Sequence, residues 1–229
     1  MKKIFILAMA AAAMVSCGTA TKYTITGTSE EFEDGKWAFV GEKGRTDSVQ
    51  IVGNSFTLKG EVETPYAAYV TIGEPNTRPE IVVRMFVEPG KIEVKKLNPE
   101  HRSFSAVGTA MNDKQSDFNN KVWELQKNDG SDEEYIALHK SFIEENIDNV
   151  LGLNAFKGSY YYFKPQDVIA LIDAMPAAAQ EELAKTKESA EKALKVLPGN
   201  PYIDVVEKDA NGKEISLKSV VENKKNKYV

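Results

Sequence analysis

The hydrophobic period of this chain changes once, near Gly108, from two to about 3.6. A period of two belongs to half-buried strands and one near 3.6 to amphipathic helices, so the chain carries a strand half and a helix half. Tyr23-Thr24-Ile25-Thr26-Gly27-Thr28 opens the first half, and Trp37-Ala38-Phe39-Val40 runs into a hairpin-like Gly41-Glu42-Lys43-Gly44. Val49 and Ile51 alternate with polar neighbours before Gly53-Asn54 turns the chain into Phe56 and Leu58. Tyr66 to Ile72 and Ile81 to Val87 are nearly continuous apolar runs. In the second, Ile81, Val83, Met85 and Val87 share one face, with Val82 and Phe86 opposite. Pro89-Gly90 turns the chain into Ile92 and Val94, and Phe104 and Val107 close the set. About eight short strands of this kind predict an antiparallel β-sandwich or open barrel over residues 23–107.

Past Gly108, Met111, Phe118, Val122 and Leu125 fall on one helical face, which Asn128-Asp129-Gly130 ends. Ser131-Asp132-Glu133-Glu134 reads as a capping box, opening a helix that buries Tyr135, Leu138, Phe142 and Ile143. A third apolar segment, Val150 to Phe163, contains Tyr160, Tyr161 and Tyr162 in a row. Pro165 and Pro176 sit at the first turns of two more helices, the last running from Ala177 to Leu197. The predicted fold class is therefore α+β: a sandwich, a helical region over residues 108–197, and a short tail over residues 198–229.

The chemistry open to this chain is narrow. Its net charge is −5 with no basic stripe, which argues against nucleic acid, because phosphate neutralisation needs clustered Lys and Arg. One Cys and two His exclude a disulfide framework and any zinc site built on several of them. His101 lies in a polar turn and His139 on a helix, and both are expected at the surface. The pairs Glu133-Glu134 and Glu144-Glu145 are adjacent on helices and so do not face each other. Gly41 to Gly44 is too short for a phosphate cradle and no helix follows it. No cofactor or metal is expected. A hydrolase built on scattered carboxylates would need two carboxyl groups brought into one pocket. The Tyr160–Tyr162 run has two readings, a stacking surface for carbohydrate or peptide and core packing with one hydroxyl reaching water. Core packing is the expectation.

The N-terminus reads as an address. Lys2 and Lys3 precede an apolar run from Ile4 to Val15. That run is shorter than the roughly 20 residues a membrane-spanning helix needs, and it fits a signal peptide. Val15-Ser16-Cys17 follows and resembles a lipobox, with Met14 where Leu is usual. The resemblance implies removal of residues 1–16, diacylation of Cys17 and a tether over residues 17–22. The chain would then be anchored in the cell envelope, facing the periplasm, with the membrane as its first partner.

The tail carries a second resemblance. Tyr202 to Val206 and Asp209 to Leu217 form a hairpin pattern around Asn211-Gly212. With Asp209, Gly212, Lys213, Ser216 and Leu217 in place, it resembles the opening of TlpA/ResA-like thioredoxin-family modules, relatives of the AhpC/TSA group, with one extra residue in the turn. Asn226-Lys227-Tyr228-Val229 resembles the start of the strand that leads to their Trp-Cys-x-x-Cys site, so the resemblance implies that residues 198–229 are a linker and the truncated, incomplete start of such a module. The front of the chain is similar to the domain of unknown function that precedes such modules. Tyr23-x-Ile-x-Gly27, Phe56-x-Leu-x-Gly60 and Phe86-Val87-Glu88-Pro89-Gly90 carry that likeness.

These resemblances imply the non-catalytic N-terminal part of a thiol-disulfide oxidoreductase, positioning its redox module or binding its partner. Thiol exchange needs a nucleophilic thiolate with a second thiol nearby, and a lipidated Cys17 leaves neither. The competing expectation is a self-sufficient envelope lipoprotein that binds a peptide or a glycan. In either case an envelope protein or peptide is the expected protein partner.

Overall fold

The computed structural model describes residues 21–42, 45–97 and 103–223. Cys17, His101 and the Asn226–Val229 segment lie outside the described residues. The chain divides into two compact units, one ending at Gly130 and the other beginning at Ser131.

The first unit holds eight strands: β1 (Lys22–Thr28), β2 (Trp37–Glu42), β3 (Arg45–Gln50), β4 (Ser55–Glu61), β5 (Tyr66–Gly73), β6 (Ile81–Val87), β7 (Gly90–Lys95) and β8 (Ser105–Val107). They form two four-stranded sheets, ordered β4-β1-β7-β8 and β3-β2-β5-β6. The fold is α+β, as the change of period predicts. Inward residues of both sheets share one core, including Ile25, Ile92 and Val94 from the first and Val40, Val70 and Met85 from the second. Each such side chain stabilises the fold by about 1.5–3 kcal/mol relative to exposure. The alternation in β6 follows the sequence pattern: Val83, Met85 and Val87 are buried while Val82 is exposed.

One pairing departs from an antiparallel sandwich, because β1 and β7 run parallel. The turn at Pro89-Gly90 carries the chain from one sheet to the other rather than closing a hairpin. It thereby delivers β7 beside β1 in the same direction. Gly53 and Asn54 both have positive φ, at 60° and 55°, as a type I′ turn requires. That tight turn likewise joins the two sheets.

The motifs Tyr23-x-Ile-x-Gly27 and Phe56-x-Leu-x-Gly60 face each other. In the β1–β4 register Tyr23 pairs with Gly60, Ile25 with Leu58, and Gly27 with Phe56. Each aromatic ring lies across the other motif's glycine. A Cβ on Gly60 would sit 2.4 Å from the Tyr23 hydroxyl oxygen, and one on Gly27 would sit 2.3 Å from Phe56 Cε1. No side chain but hydrogen fits under either ring. Phe32 then packs on Phe56 and Phe104, with ring centroids 5.6 and 4.9 Å away.

Helix α1 (Ala110–Lys127) belongs to this unit, so the unit outlasts the change of period by a whole helix. Its buried residues are Asn112, Gln115, Ser116 and Phe118. The face predicted from Met111, Phe118, Val122 and Leu125 is therefore only partly the buried one, because polar groups on the strands recruit amides instead. Asn112 accepts from the Phe86 backbone N–H at 2.9 Å and donates to the Phe86 carbonyl at 2.8 Å. Its side-chain amide thus stands in for a neighbouring strand on the edge strand β6, whose outward-facing Phe86 is fully buried. Glu88 accepts from the amides of Met111 and Asn112 at 2.7 and 3.3 Å, capping α1 where Thr109 makes no side-chain cap.

The second unit is helical: α2 (Asp132–Glu145), α3 (Val150–Ser159), a 3₁₀ turn at Tyr160–Tyr162, α4 (Pro165–Ala174), α5 (Ala177–Glu182) and α6 (Ala184–Lys195). The expected capping box forms: the Ser131 amide donates to Glu134 at 2.9 Å, and the Glu134 amide to the Ser131 hydroxyl at 3.2 Å. Ile143, Phe156, Val168, Leu171, Ile172 and Leu183 anchor its core. The predicted helix from Ala177 to Leu197 is two helices, broken at Leu183, whose burial turns the chain inward.

In the tail, β9 (Val206–Lys208) pairs with β10 (Glu214–Ser216), and a short α7 (Leu217–Val221) follows. Asp209 Oδ1 accepts from the amides of Asn211 and Lys213, both at 2.8 Å, and Gly212 takes φ 78°. Ile203, Val205, Val206, Ile215 and Leu217 are all exposed.

Candidate functional site

The tyrosine run is where the sequence pattern and the structure part most clearly. Core packing predicts buried rings, yet Tyr160, Tyr161 and Tyr162 are 39%, 64% and 41% exposed. The three residues form a 3₁₀ turn between α3 and α4 in which no residue is buried. Only its flanks enter the core, Phe156 before the turn and Phe163 after it.

The rings form a continuous aromatic ledge. Tyr160 and Tyr161 meet edge to face at 5.9 Å, and Tyr161 and Tyr162 lie 4.3 Å apart. Tyr162 continues to Tyr135 at 5.2 Å, and Tyr135 covers His139 at 4.1 Å. His139, expected at the surface, is therefore buried beneath tyrosines. Its Nδ1 lies 2.9 Å from the Tyr135 carbonyl, so that nitrogen carries the proton and donates. Burial lowers its pKa below the ordinary histidine value, against the smaller upward pull of that hydrogen bond.

Beside the ledge lies a groove of about 360 Å³, lined by Tyr160, Tyr161, Phe163, Pro165 and Val168 on one side. Lys185, Thr186, Ser189, Ala190 and Ala193 of α6 form the other. Thr186, Ala190 and Ala193 recur at helical spacing and make a wall of small side chains that leaves room beside the rings. That spacing is visible in the sequence, but only the turn of chain between α3 and α4 reveals what it faces. Ser189 donates its hydroxyl proton to the Lys185 carbonyl at 2.9 Å within α6.

The sandwich unit offers a second hollow, about 680 Å³, lined by Tyr23, Val40, Asp47, Glu61, Val62, Glu63, Thr64 and Tyr66. Burial raises the Tyr23 hydroxyl pKa, with Tyr66 and Asp47 adding to the shift. Its three carboxylates are exposed, without the apolar enclosure that makes a general acid. Glu133, Glu134, Glu144 and Glu145 are exposed as well, and Glu134 is held in its capping box. Glu88, the one buried carboxylate among the described residues, is committed to the start of α1. No group of three or more His, Cys, Asp and Glu side chains among the described residues is placed to hold a metal. No described helix is long and apolar enough to cross a membrane.

The facing aromatic–glycine motifs and the Glu88–Asn112 contacts define one unit of strands plus the first turns of α1. Residues 23–115 match DUF4369, a domain of unknown function. The DUF4369 match begins at Tyr23, in the first of the facing motifs, and ends at Gln115, past the asparagine that tethers the helix to β6. It therefore includes both halves of that tether. No curated protein and no solved structure matches the chain.

Proposed function

We propose that this chain is the lipid-anchored, non-catalytic N-terminal part of a periplasmic thioredoxin-like thiol-disulfide oxidoreductase. In this reading it positions the redox module or binds that module's partner. The tail hairpin carries the proposal. Three residues of the resemblance shape the backbone there. Asp209 accepts two amides, Gly212 takes the positive φ, and Ser216 caps α7. The exposed Ile203, Val205, Val206, Ile215 and Leu217 are what an opening hairpin would offer to a larger sheet. The DUF4369 match agrees with a domain of unknown function at the front of the chain. The test is the nucleotide sequence after the Val229 codon. An in-frame Trp-Cys-x-x-Cys shortly downstream supports the reading, and a stop without any such remnant overturns it. Radiolabelled palmitate incorporation that disappears in Cys17→Ser tests the anchor separately.

A second reading, a self-sufficient envelope lipoprotein that binds a peptide or glycan, is favoured by the tyrosine groove. Aromatic rings held out in water beside a wall of small side chains suit a ligand with a flat face. A glycan and peptide binding screen of the lipidated protein tests it; no binding at all would overturn it.

A further inference from the structure

We infer that the groove between the tyrosine ledge and α6 binds an acidic saccharide, its ring on Tyr161 and its carboxylate on Lys185. This rests on the second reading above and names the ligand class for that groove. At about 360 Å³ the groove falls within the size range of small-ligand sites. Phe163, Val168 and Ala190, all buried, give it an apolar floor, while Tyr161 keeps nearly two thirds of its surface exposed. The polarised C–H bonds of a sugar's flat face complement the electron-rich face of such a ring.

The opposite wall supplies the polar contacts. Thr186 and Ser189 bring hydroxyls, and the Ser189 proton is already donated to Lys185 O, which leaves its lone pairs to accept from a sugar hydroxyl. Lys185 brings the charge. Elsewhere on α6, Lys187 pairs with Asp173 and Lys192 with Glu188. Lys185 makes no ion pair among the described residues. No carboxylate lines the groove, although the chain as a whole is acidic. Among the described residues, Lys185 is thus the one charged side chain lining the groove, placed to pair with an anionic group.

A peptide is the poorer fit. A peptide that adds a strand is held through main-chain pairing at an open strand edge. Here the walls are helical, so only side chains can answer a ligand's polar groups. A strand-adding peptide would leave its main-chain amides unpaired along these walls.

Calorimetry on the full lipidated protein in detergent micelles tests this, with oligogalacturonate, the matching neutral oligogalactoside and an acidic peptide as probes. The uronate should bind at least about tenfold more tightly than the neutral oligomer. Tyr161→Ala should abolish binding with the melting temperature unchanged, and Lys185→Gln should remove only the preference for the acid. Equal affinity for both oligomers, or retention of the preference in Lys185→Gln, overturns the acidic class while leaving a glycan-binding groove. Binding of the peptide alone, or undiminished binding in Tyr161→Ala, overturns the saccharide assignment. Silence from all three probes and from a wider glycan screen overturns the second reading with it.

Discussion

The two units place most of their aromatic residues differently. In the sandwich, Tyr23, Phe32, Phe56, Phe86 and Phe104 are all buried, two of them laid across glycines on the facing strand. In the helical unit, Phe142, Phe156 and Phe163 enter the core while Tyr160, Tyr161 and Tyr162 stand in water. Strand geometry permits the first arrangement, since a period of two returns every second side chain to the same face. The second sits on a short 3₁₀ turn in which no residue is buried. The sandwich exposes Tyr69 on β5 as well, whereas the helical unit holds three neighbouring tyrosine rings in water.

The sharpest way to break this contrast is to truncate an aromatic in each unit. Phe32→Ala should cost about 3–5 kcal/mol in urea unfolding, because the cavity lies among Phe56 and Phe104. Tyr161→Ala should leave unfolding almost unchanged. A comparable loss from both would show that the ledge is core after all. The glycine pairing is tested by Gly60→Ala. Its new methyl group meets the Tyr23 ring, so the sandwich should lose stability, and Tyr23→Leu in the same chain should recover part of the loss. Additive losses would remove the facing motifs as a stabilising unit.

Asn112→Ala comes next, at about 1–3 kcal/mol, since it leaves the buried N–H and C=O of Phe86 without their amide partner. Hydrogen exchange at the Phe86 amide should accelerate in that variant. Unchanged protection would mean that the helix shields the strand without the bond.

In the helical unit the contrast sharpens with pH. His139 has its pKa lowered by burial, so the unfolded chain takes up a proton at a higher pH than the folded one. Stability should therefore fall as pH drops from 7 through the ordinary histidine range near 6.5, and level off once both states are protonated. His139→Gln should flatten that part of the profile in urea titrations at several pH values. The smallest effect should come from deleting residues 202–229. The apolar residues of β9, β10 and their flanks are exposed, and an isolated two-stranded hairpin is marginal in water. The melting temperature should barely move, and a drop of many degrees would show that the tail completes the fold.

The strand half was legible because its information is local. Alternation alone separates Val83, Met85 and Val87 from Val82, and Gly53-Asn54 announces its own turn. The capping box at Ser131 and Glu134 was legible for the same reason: both of its bonds close within four residues. The parallel pairing of β1 with β7 was not, because a turn dipeptide states that the chain bends and leaves open which sheet it enters. Nor was the polar buried face of α1, since Asn112 is apolar on no scale and becomes core only by pairing with a strand edge.

The same division runs through the candidate site. The sequence by itself determined that three tyrosines come together and that small residues recur along α6. It also determined the facing aromatic–glycine motifs as residues, though not as partners. Only the tertiary structure decided that Tyr161 faces water, that His139 lies beneath Tyr135, and that Lys185 shares a groove with the ledge. The physical reason is range. Period, caps and turns act over a few residues, whereas exposure depends on what the rest of the chain places over a side chain.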